Sequence, residues 1–171
     1  MKYSFCPNCK SNLEETENYF ECKSCGMIVY KNSAPTASAV IINGNKVLLS
    51  TRAINPKKGC YDLVGGFLSN GESPRDGVLR EIIEETGLSV EIIDLLGVYM
   101  DDYMFQGIEL NTLNFYYVTK IIDGEMKPDD DVETLEWFDI DKVPLEKLAF
   151  KSQKQVIRDL KTWLMKNKNQ A

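Results

Sequence analysis

A cluster of glutamates lies in the middle of the chain, where residues 80–85 read Arg-Glu-Ile-Ile-Glu-Glu. Apolar residues recur around this cluster with the period of an amphipathic helix. In such a helix, Glu81 and Glu85 would hold their carboxylates about one turn (~6 Å) apart on the same side. Carboxylates at that spacing repel each other. The segment therefore indicates either a solvated acidic face, with Arg80 paired to Glu84, or a site that binds a cation.

The composition excludes several kinds of catalysis, because none of the 171 residues is a histidine. Ser-His-Asp and Cys-His hydrolysis, a histidine-ligated catalytic zinc and imidazole acid-base catalysis all need that residue. Any catalysis must therefore use carboxylates, lysine, tyrosine, cysteine or a metal that is held mainly by oxygen.

A longer pattern surrounds the glutamates over residues 66–88. It reads Gly66, five residues, Glu72, seven residues, Arg80-Glu81, an aliphatic residue, one residue, Glu84-Glu85, one residue, Gly87 and an aliphatic residue. With roughly 7% usage at each fixed position, such a match arises by chance about once in 10⁸ placements. The pattern resembles the Nudix box without a departure. The chain from about residue 35 onward is similar to a Nudix hydrolase domain.

The resemblance implies an α/β fold, namely an α/β/α sandwich with a mixed sheet, and a Mg²⁺- or Mn²⁺-dependent hydrolysis of a pyrophosphate bond. Pyrophosphate is a dense anion, and clustered carboxylates hold a divalent cation that neutralises it while leaving coordination places for water and phosphate oxygens. By the same resemblance, the metal ligands are Glu81, Glu84 and Glu85, with the backbone carbonyl of Gly66 as a further ligand.

Other residues would complete the catalytic set. The resemblance implies that Arg80 orients the glutamates by charge-assisted hydrogen bonds and that Glu72 reaches the cluster from the loop or supports it. The base that activates water varies among such enzymes, so position does not identify it. The acidic stretch 129–133, which includes Glu133, precedes a predicted strand and can fold over the site, with a solvated turn as an equal alternative. Glu84 or Glu85, acting at the metal, is the rival candidate.

Four of the five cysteines form two CxxC pairs near the N-terminus. Cys6 and Cys9 are followed, after twelve residues, by Cys22 and Cys25, which is a zinc-ribbon spacing. Two thiolates three residues apart can bind one ion from a tight turn, so two such pairs close a tetrahedral site. Structural disulfides are the alternative, which a cytoplasmic setting disfavours. We therefore predict a structural Zn²⁺ in a ribbon over residues 1–32, followed by a Nudix domain over residues 33–171.

A zinc ribbon followed by a Nudix box resembles the NADH pyrophosphatase group and related zinc-ribbon hydrolases of ADP-ribose. The NADH group carries a proline-rich signature shortly after the box, whereas this chain has no proline between Pro74 and Pro128. The expected substrate is therefore a nucleoside diphosphate derivative, with ADP-ribose ahead of NADH. The aromatic residues that could stack on a base, or simply pack in the core or at an interface, are Phe67, Tyr99, Tyr103 and Phe105.

Two other functions fit the same box. One is a pyrophosphohydrolase that removes oxidised nucleoside triphosphates, and the other is a non-catalytic regulator that senses a nucleotide. The intact glutamates argue against the regulator, because a pure sensor would be free to lose its metal ligands. The ribbon ranks the triphosphate reading below a dinucleotide substrate.

Charge and hydropathy limit the partners. Twenty basic residues against 26 acidic ones give a formal charge of −6, which repels a phosphate backbone. No apolar run approaches the ~18 residues of a membrane helix, and the N-terminus does not resemble a signal peptide. We expect a cytoplasmic enzyme that acts on a small nucleotide, without membrane contact or nonspecific nucleic-acid binding. A homodimer is implied only by the family resemblance.

Apolar periodicity and turn residues predict the elements that position the box. A hairpin is expected because Asn43-Gly44-Asn45 separates two apolar runs, and a helix is expected between a Ser73 cap and a Gly87 stop. The predicted strands cover residues 37–42, 46–50, 61–64, 90–100, 109–119 and 134–138. A second helix is predicted over residues 152–165, and residues 30–36 read as a connector.

Overall fold

A small three-stranded antiparallel sheet forms the N-terminal segment. The computed structural model describes residues 3–105, without the side chain of Phe105, and residues 107–167. Its first strands are β1 (Glu14–Glu15), β2 (Tyr19–Glu21) and β3 (Ile28–Tyr30), which pair in the order β1-β2-β3. The next strand begins at Ala34, so the predicted connector of residues 30–36 is shorter than expected. The division of the chain at residues 32 and 33 stays a prediction.

A second, larger sheet and two helices form the rest of the chain. The strands are β4 (Ala34–Asn43), β5 (Lys46–Arg52), β6 (Tyr61–Asp62), β7 (Gly65–Phe67), β8 (Leu88–Phe105), β9 (Ile108–Gly124) and β10 (Val132–Asp139). The helices are α1 (Pro74–Thr86) and α2 (Lys151–Lys166), and short 3-10 turns cover Ile140–Lys142 and Leu145–Lys147. The main path is β10-β5-β4-β9-β8, in which β4 and β9 are parallel and the other neighbours are antiparallel.

The hairpin of β4 and β5 opens into a fork. The two strands pair only next to their turn, where Ile42 faces Val47 and Asn43 faces Lys46. Beyond that point, β6 pairs with β5 and β7 pairs with β4, so residues 61–67 enter the gap between the separating strands. The fork therefore brings the glycine-rich segment that precedes the Nudix box into the middle of the sheet.

The sheet is buried on both faces by alternating side chains, as expected for strands covered by helices. The layer against α1 includes Ala37, Ala39, Ile41, Leu48, Val64, Val78 and Ile82. The layer against α2 includes Val40, Ile42, Val47, Leu49, Leu63, Ile157 and Leu160. This arrangement confirms the predicted α/β/α sandwich with a mixed sheet. Within the described residues, no helix is both long enough and apolar enough to cross a membrane.

The predicted boundaries of the first helix are confirmed by its caps. The Ser73 hydroxyl oxygen accepts a hydrogen bond from the Asp76 N–H at 3.2 Å, and Gly87 ends the helix with a φ of 69°. By contrast, β8 and β9 extend over 18 and 17 residues, well beyond the predicted strands. The added residues mix polar and apolar types without regular alternation, so an apolar pattern does not find them. In addition, β8 is an edge strand and its far end faces a cavity.

Candidate active site

A cavity of about 280 Å³ opens beside the fork in the sheet. Its lining residues come from both helices and from most strands of the larger sheet. They are Thr36, Ser38, Arg52, Asp62, Gly65, Gly66, Phe67, Arg80, Glu81, Glu84, Glu85, Asp101, Tyr103, Thr112, Asn114, Tyr116, Asp130, Asp131, Phe150 and Gln153. We call Glu81, Glu84, Glu85, Asp130 and Asp131 the carboxylate wall, and we call Phe67, Tyr103 and Phe150 the aromatic wall.

Arg80 joins three glutamates on one side of α1. Its Nε and Nη2 atoms donate to the two oxygens of Glu72 at 2.8 and 2.9 Å. Its Nη1 donates to Glu81 Oε1 at 2.8 Å and to Glu84 Oε2 at 2.9 Å. The hydrogen bonds from Arg80, together with one from the Ser69 N–H, lower the pKa of Glu72 to about 2. Arg80 is therefore the cation that holds these carboxylates together.

Glu85 lies deeper than the other glutamates, with only 8% of its surface exposed. One of its oxygens accepts a hydrogen bond from the Gly65 N–H at 3.0 Å. Burial raises the pKa of Glu85 to about 8 despite that hydrogen bond, and the neighbouring charges of Glu81, Asp62 and Asp131 add to the increase. Such a carboxylate is more stable as an anion when a cation lies beside it.

An acidic loop brings further carboxylates to the same wall. The Asp129 N–H donates to the Glu85 carbonyl at 3.1 Å, so the loop is attached to the last turn of α1. On its other side, the Asp131 carbonyl accepts the Ala53 N–H at 2.8 Å. These two attachments place Asp130 and Asp131 on the cavity, whereas Glu133 is exposed and does not line it. The acidic stretch does reach the site, but not through Glu133.

The oxygen donors of the carboxylate wall suit a hard divalent cation such as Mg²⁺ or Mn²⁺. A Cβ atom on Gly66 would lie 2.5 Å from Glu81 Oε1, so the absence of a side chain lets this backbone segment approach the carboxylate closely. Glu81 and Glu84 each use one oxygen for Arg80, and each carboxylate has a second oxygen. Burial also raises the pKa of Glu81 above its usual value. The chemistry of these residues therefore fits a divalent metal site.

The aromatic wall is formed by rings from three separate elements. The Tyr103 ring meets the Phe67 ring edge to face at a centroid distance of 5.3 Å and stacks on Phe150 at 5.8 Å. The guanidinium of Arg52 lies 5.4 Å from the centroid of the Phe150 ring. Tyr99, a candidate from the sequence, instead packs against Tyr116 and donates its hydroxyl hydrogen to α2. The side chain of Phe105, also a candidate, lies outside the described residues.

Several cavity residues were not identified from the sequence. Arg52 Nη1 lies 2.5 Å from Asp62 Oδ2, and the Gln153 side-chain amide donates to the other oxygen of Asp62. Asp62 interrupts an apolar run, and Phe150 lies two residues before the predicted helix. Those two breaks in the pattern are the local signals that could have marked them. Nothing local marks Arg52, Asp101 or Gln153.

The four N-terminal cysteines form a separate cluster. The Cys6 and Cys25 sulfurs are 3.7 Å apart, and the Cys9 and Cys22 sulfurs are 3.4 Å apart. Of the described residues, these four form the group of potential metal ligands whose atoms all lie within 4.8 Å of one another. A tetrahedral zinc with bonds of about 2.3 Å would separate its sulfurs by about 3.8 Å. The cluster is therefore compatible with a zinc ribbon.

Both CxxC segments fold as the same tight turn. The Lys10 N–H donates to the Cys6 carbonyl at 2.9 Å, and the Gly26 N–H donates to the Cys22 carbonyl at 2.8 Å. Lys10 and Gly26 both have positive φ values, of 62° and 75°. Hydrogen bonds with Ser11 lower the pKa of the Cys9 thiol to about 6, whereas, despite a backbone hydrogen bond from Cys25, burial and the hydrogen bond shared with Cys9 raise the pKa of Cys22 to about 11. A cation bound between the sulfurs would favour the thiolate form at both positions.

Comparison with known proteins agrees with the observed fold. The sandwich and the glutamate-bearing helix define a Nudix-type pyrophosphohydrolase. Residues 32–160 match the NUDIX domain, and the chain belongs to that family. A crystal structure of a NUDIX hydrolase from Nitrosomonas europaea has a TM-score of 0.77 and 26% identity, and the match covers 98% of this chain and 94% of that one. That match therefore extends over the cysteine-rich segment as well.

Two relatives of known activity are similar in sequence. The ADP-ribose pyrophosphatase of Methanocaldococcus jannaschii is 39% identical over 136 residues, which cover 79% of this chain and 77% of that protein. The NAD-capped RNA hydrolase NudC of Pseudomonas aeruginosa is 29% identical over 143 residues, which cover 82% of this chain. The match covers only 49% of NudC, so the chain spans about half the length of that relative.

The cysteine cluster leads to a prediction about metal content. We expect protein purified without chelators to contain one zinc per chain and Cys22→Ser to lose it, because a four-thiolate site needs all four ligands. The Cys60→Ser variant is the matched control and should keep its zinc, since Cys60 lies outside the cluster. Elemental analysis measures the zinc content per chain, and thiol titration measures the number of free cysteine thiols. Wild-type protein without zinc, or disulfides mapped among the four cysteines, would contradict the prediction.

Proposed function

We propose that this chain hydrolyses the pyrophosphate bond of ADP-ribose, or of a related dinucleotide such as NADH, with Mg²⁺ or Mn²⁺ as cofactor. The observation that carries the proposal is that a carboxylate wall and an aromatic wall share one cavity. The first suits a metal that binds pyrophosphate, and the second suits the flat face of a base. The 39% identity to an ADP-ribose pyrophosphatase supports the choice of substrate.

The metal ligands in this proposal are Glu81, Glu84 and Glu85, with the backbone carbonyl of Gly66. A divalent cation bound there supplies positive charge to the pyrophosphate and stabilises the leaving phosphate. Arg80 acts as a positioning residue, because its hydrogen bonds fix the direction of two of these carboxylates. Glu72 acts through Arg80, whose guanidinium it holds with both of its oxygens.

Asp131 is the base in this proposal. The water oxygen forms a bond to one phosphorus, the bond from that phosphorus to the bridging oxygen breaks, and Asp131 takes a proton from the water. Its loop is anchored to α1 and to Ala53 through the backbone, so the carboxylate itself is not needed to hold the loop. Glu84 and Glu85 remain the alternative bases. For ADP-ribose, the products are AMP and ribose 5-phosphate.

The aromatic wall supports a substrate with a planar base. Phe67 is 42% exposed and lies edge to face against Tyr103, so part of its surface at the cavity can contact a base. A nucleoside triphosphate also has a base, and the aromatic wall alone does not exclude it. The second candidate is therefore a pyrophosphohydrolase of nucleoside triphosphates. It ranks lower because the relative of 39% identity is an ADP-ribose pyrophosphatase.

Removal of one charge from the carboxylate wall tests the metal site. We expect Glu85→Gln to lower kcat by about 100-fold or more, because the metal loses a ligand charge. Glutamine keeps an oxygen that can accept the Gly65 N–H, so the fold is retained. Glu91→Gln, which changes an exposed glutamate of β8, is the matched control. Metal-titrated kinetics measure the effect, and wild-type turnover in Glu85→Gln with the metal still required would falsify the assignment.

A pair of loop variants tests the base. We expect Asp131→Asn to lower kcat by about 10²- to 10⁴-fold, which is the usual contribution of a general base. Glu133→Gln should retain wild-type kcat, because its exposed side chain does not line the cavity. Single-turnover rates measured at saturating Mg²⁺ separate this effect from weaker metal binding. Equal rates for Asp131→Asn and wild type would move the role to Glu84 or Glu85.

A substrate panel tests the proposed reaction. We expect kcat/KM for ADP-ribose to exceed that for NADH and to exceed that for any nucleoside triphosphate, since discrimination is set by this ratio. The panel comprises ADP-ribose, NADH, dGTP and oxidised dGTP, with the products identified by chromatography. AMP release from ADP-ribose is the expected result. A ten-fold preference for a triphosphate would replace the proposal with the second candidate.

A further inference from the structure

Asp101 is a buried carboxylate that the proposed hydrolysis does not use. It lies in β8, has 8% of its surface exposed and lines the same cavity as the Nudix glutamates. It is two residues from Tyr103 along the strand, so both side chains lie on the same face of β8. Asp101 is therefore next to the aromatic wall and belongs to the part of the cavity where a base or sugar would bind.

The carboxylate oxygens of Asp101 can accept more hydrogen bonds than they accept from the protein. Both of its carboxylate oxygens accept the Ser152 N–H, each at 3.2 Å, in the first turn of α2. Two carboxylate oxygens have about four acceptor positions, so one shared N–H uses only part of them. The N-terminus of a helix also favours a negative charge. The Asp101 carboxylate is thus held in place with room for further donors.

The neutral polar residues beside Asp101 are already bonded to each other. The Thr36 hydroxyl donates to Asn114 Oδ1 at 2.6 Å, and Asn114 Nδ2 donates to the Tyr99 carbonyl and to Thr112 Oγ1, both at 3.1 Å. The Thr112 hydroxyl donates in turn to the backbone carbonyl of Asp101 at 3.3 Å. This network holds in place the strand that carries Asp101. Its side-chain groups bond to one another and to the strand backbone.

We propose that Asp101 is a specificity residue that accepts a hydrogen bond from an N–H or O–H group on the nucleoside part of the substrate. This inference rests on the proposed function. A carboxylate repels phosphate, so Asp101 also favours the orientation in which the pyrophosphate lies at the metal and the nucleoside lies beside the aromatic wall. Two nucleoside groups have the required chemistry, namely the exocyclic amine of the base and a ribose hydroxyl.

Substrate analogues that each lack one donor test the proposal. The panel is ADP-ribose, its inosine analogue, which lacks the amine, and its 2′-deoxy- and 3′-deoxyadenosine analogues. In the wild type we expect one analogue to lose about 10- to 100-fold in kcat/KM, as for a hydrogen bond to a charged group. That analogue identifies the donor. In Asp101→Asn the ratio of kcat/KM between ADP-ribose and that analogue should shrink to about three-fold or less. The asparagine oxygen would accept the Ser152 N–H, and its NH2 group would face the substrate with a donor where an acceptor is needed.

Asp102→Asn is the matched control for this experiment. The Asp102 side chain is 60% exposed and lies 3.6 Å from Lys151, so its variant should keep the wild-type discrimination. Thermal unfolding of Asp101→Asn verifies that the start of α2 is intact, and Asp101→Ala provides a second variant without any acceptor. The proposal is overturned if the wild type does not discriminate among the analogues, or if the Asp101 variants discriminate as strongly as the wild type.

The substrate assignment and the role of Asp101 can fail separately. If ADP-ribose is not hydrolysed but ATP is, the proposed function fails. The same comparison is then made between ATP and three analogues that each lack one of these donors, namely ITP, 2′-deoxy-ATP and 3′-deoxy-ATP. Loss of discrimination in Asp101→Asn with these substrates supports the assignment of Asp101, and unchanged discrimination overturns it.

Discussion

Repulsion among carboxylates on one helix is the constraint on which the site depends. The box places Glu81, Glu84 and Glu85 within two turns of α1, where like charges destabilise the helix. Arg80 offsets this repulsion because it bonds to two of the three and to Glu72 from the preceding loop. Isolated surface ion pairs contribute less than about 1 kcal/mol. Here the partners form a partly buried network, so loss of the single arginine leaves several charges without compensation.

The fork in the sheet explains why those carboxylates face a cavity and not bulk solvent. Because β4 and β5 separate beyond their turn, residues 61–67 occupy the gap and pass directly beside α1. Gly65 donates its N–H to Glu85, and Gly66 approaches Glu81 more closely than any residue with a Cβ atom could. The same insertion brings Asp62 to Arg52. A local irregularity in strand pairing therefore positions both the carboxylates and the residues across from them.

The features that could be predicted from the sequence are those whose pattern lies within a short stretch of the chain. The helix of the box has a cap, a stop and a helical period within a few residues, and all three appear in the structure. The contribution of the acidic loop depends on longer-range pairing. A register shift between Val132 and Thr134 interrupts the regular alternation of β10, and Asp131, not Glu133, lines the cavity. Counting along the sequence does not reveal such a bulge, since it is set by the partner strand.

The charge of the cavity determines how a pyrophosphate can enter it. Of the lining residues, seven carry carboxylates and two are arginines, both of which are already paired with carboxylates. Such a surface repels a phosphate anion, so binding requires an added positive charge, and the carboxylate wall is where most of the negative charge is concentrated. Asp101 is different because a helix N-terminus stabilises its charge. A cation is therefore drawn to the glutamates first, which leaves Asp101 to face the uncharged part of the substrate.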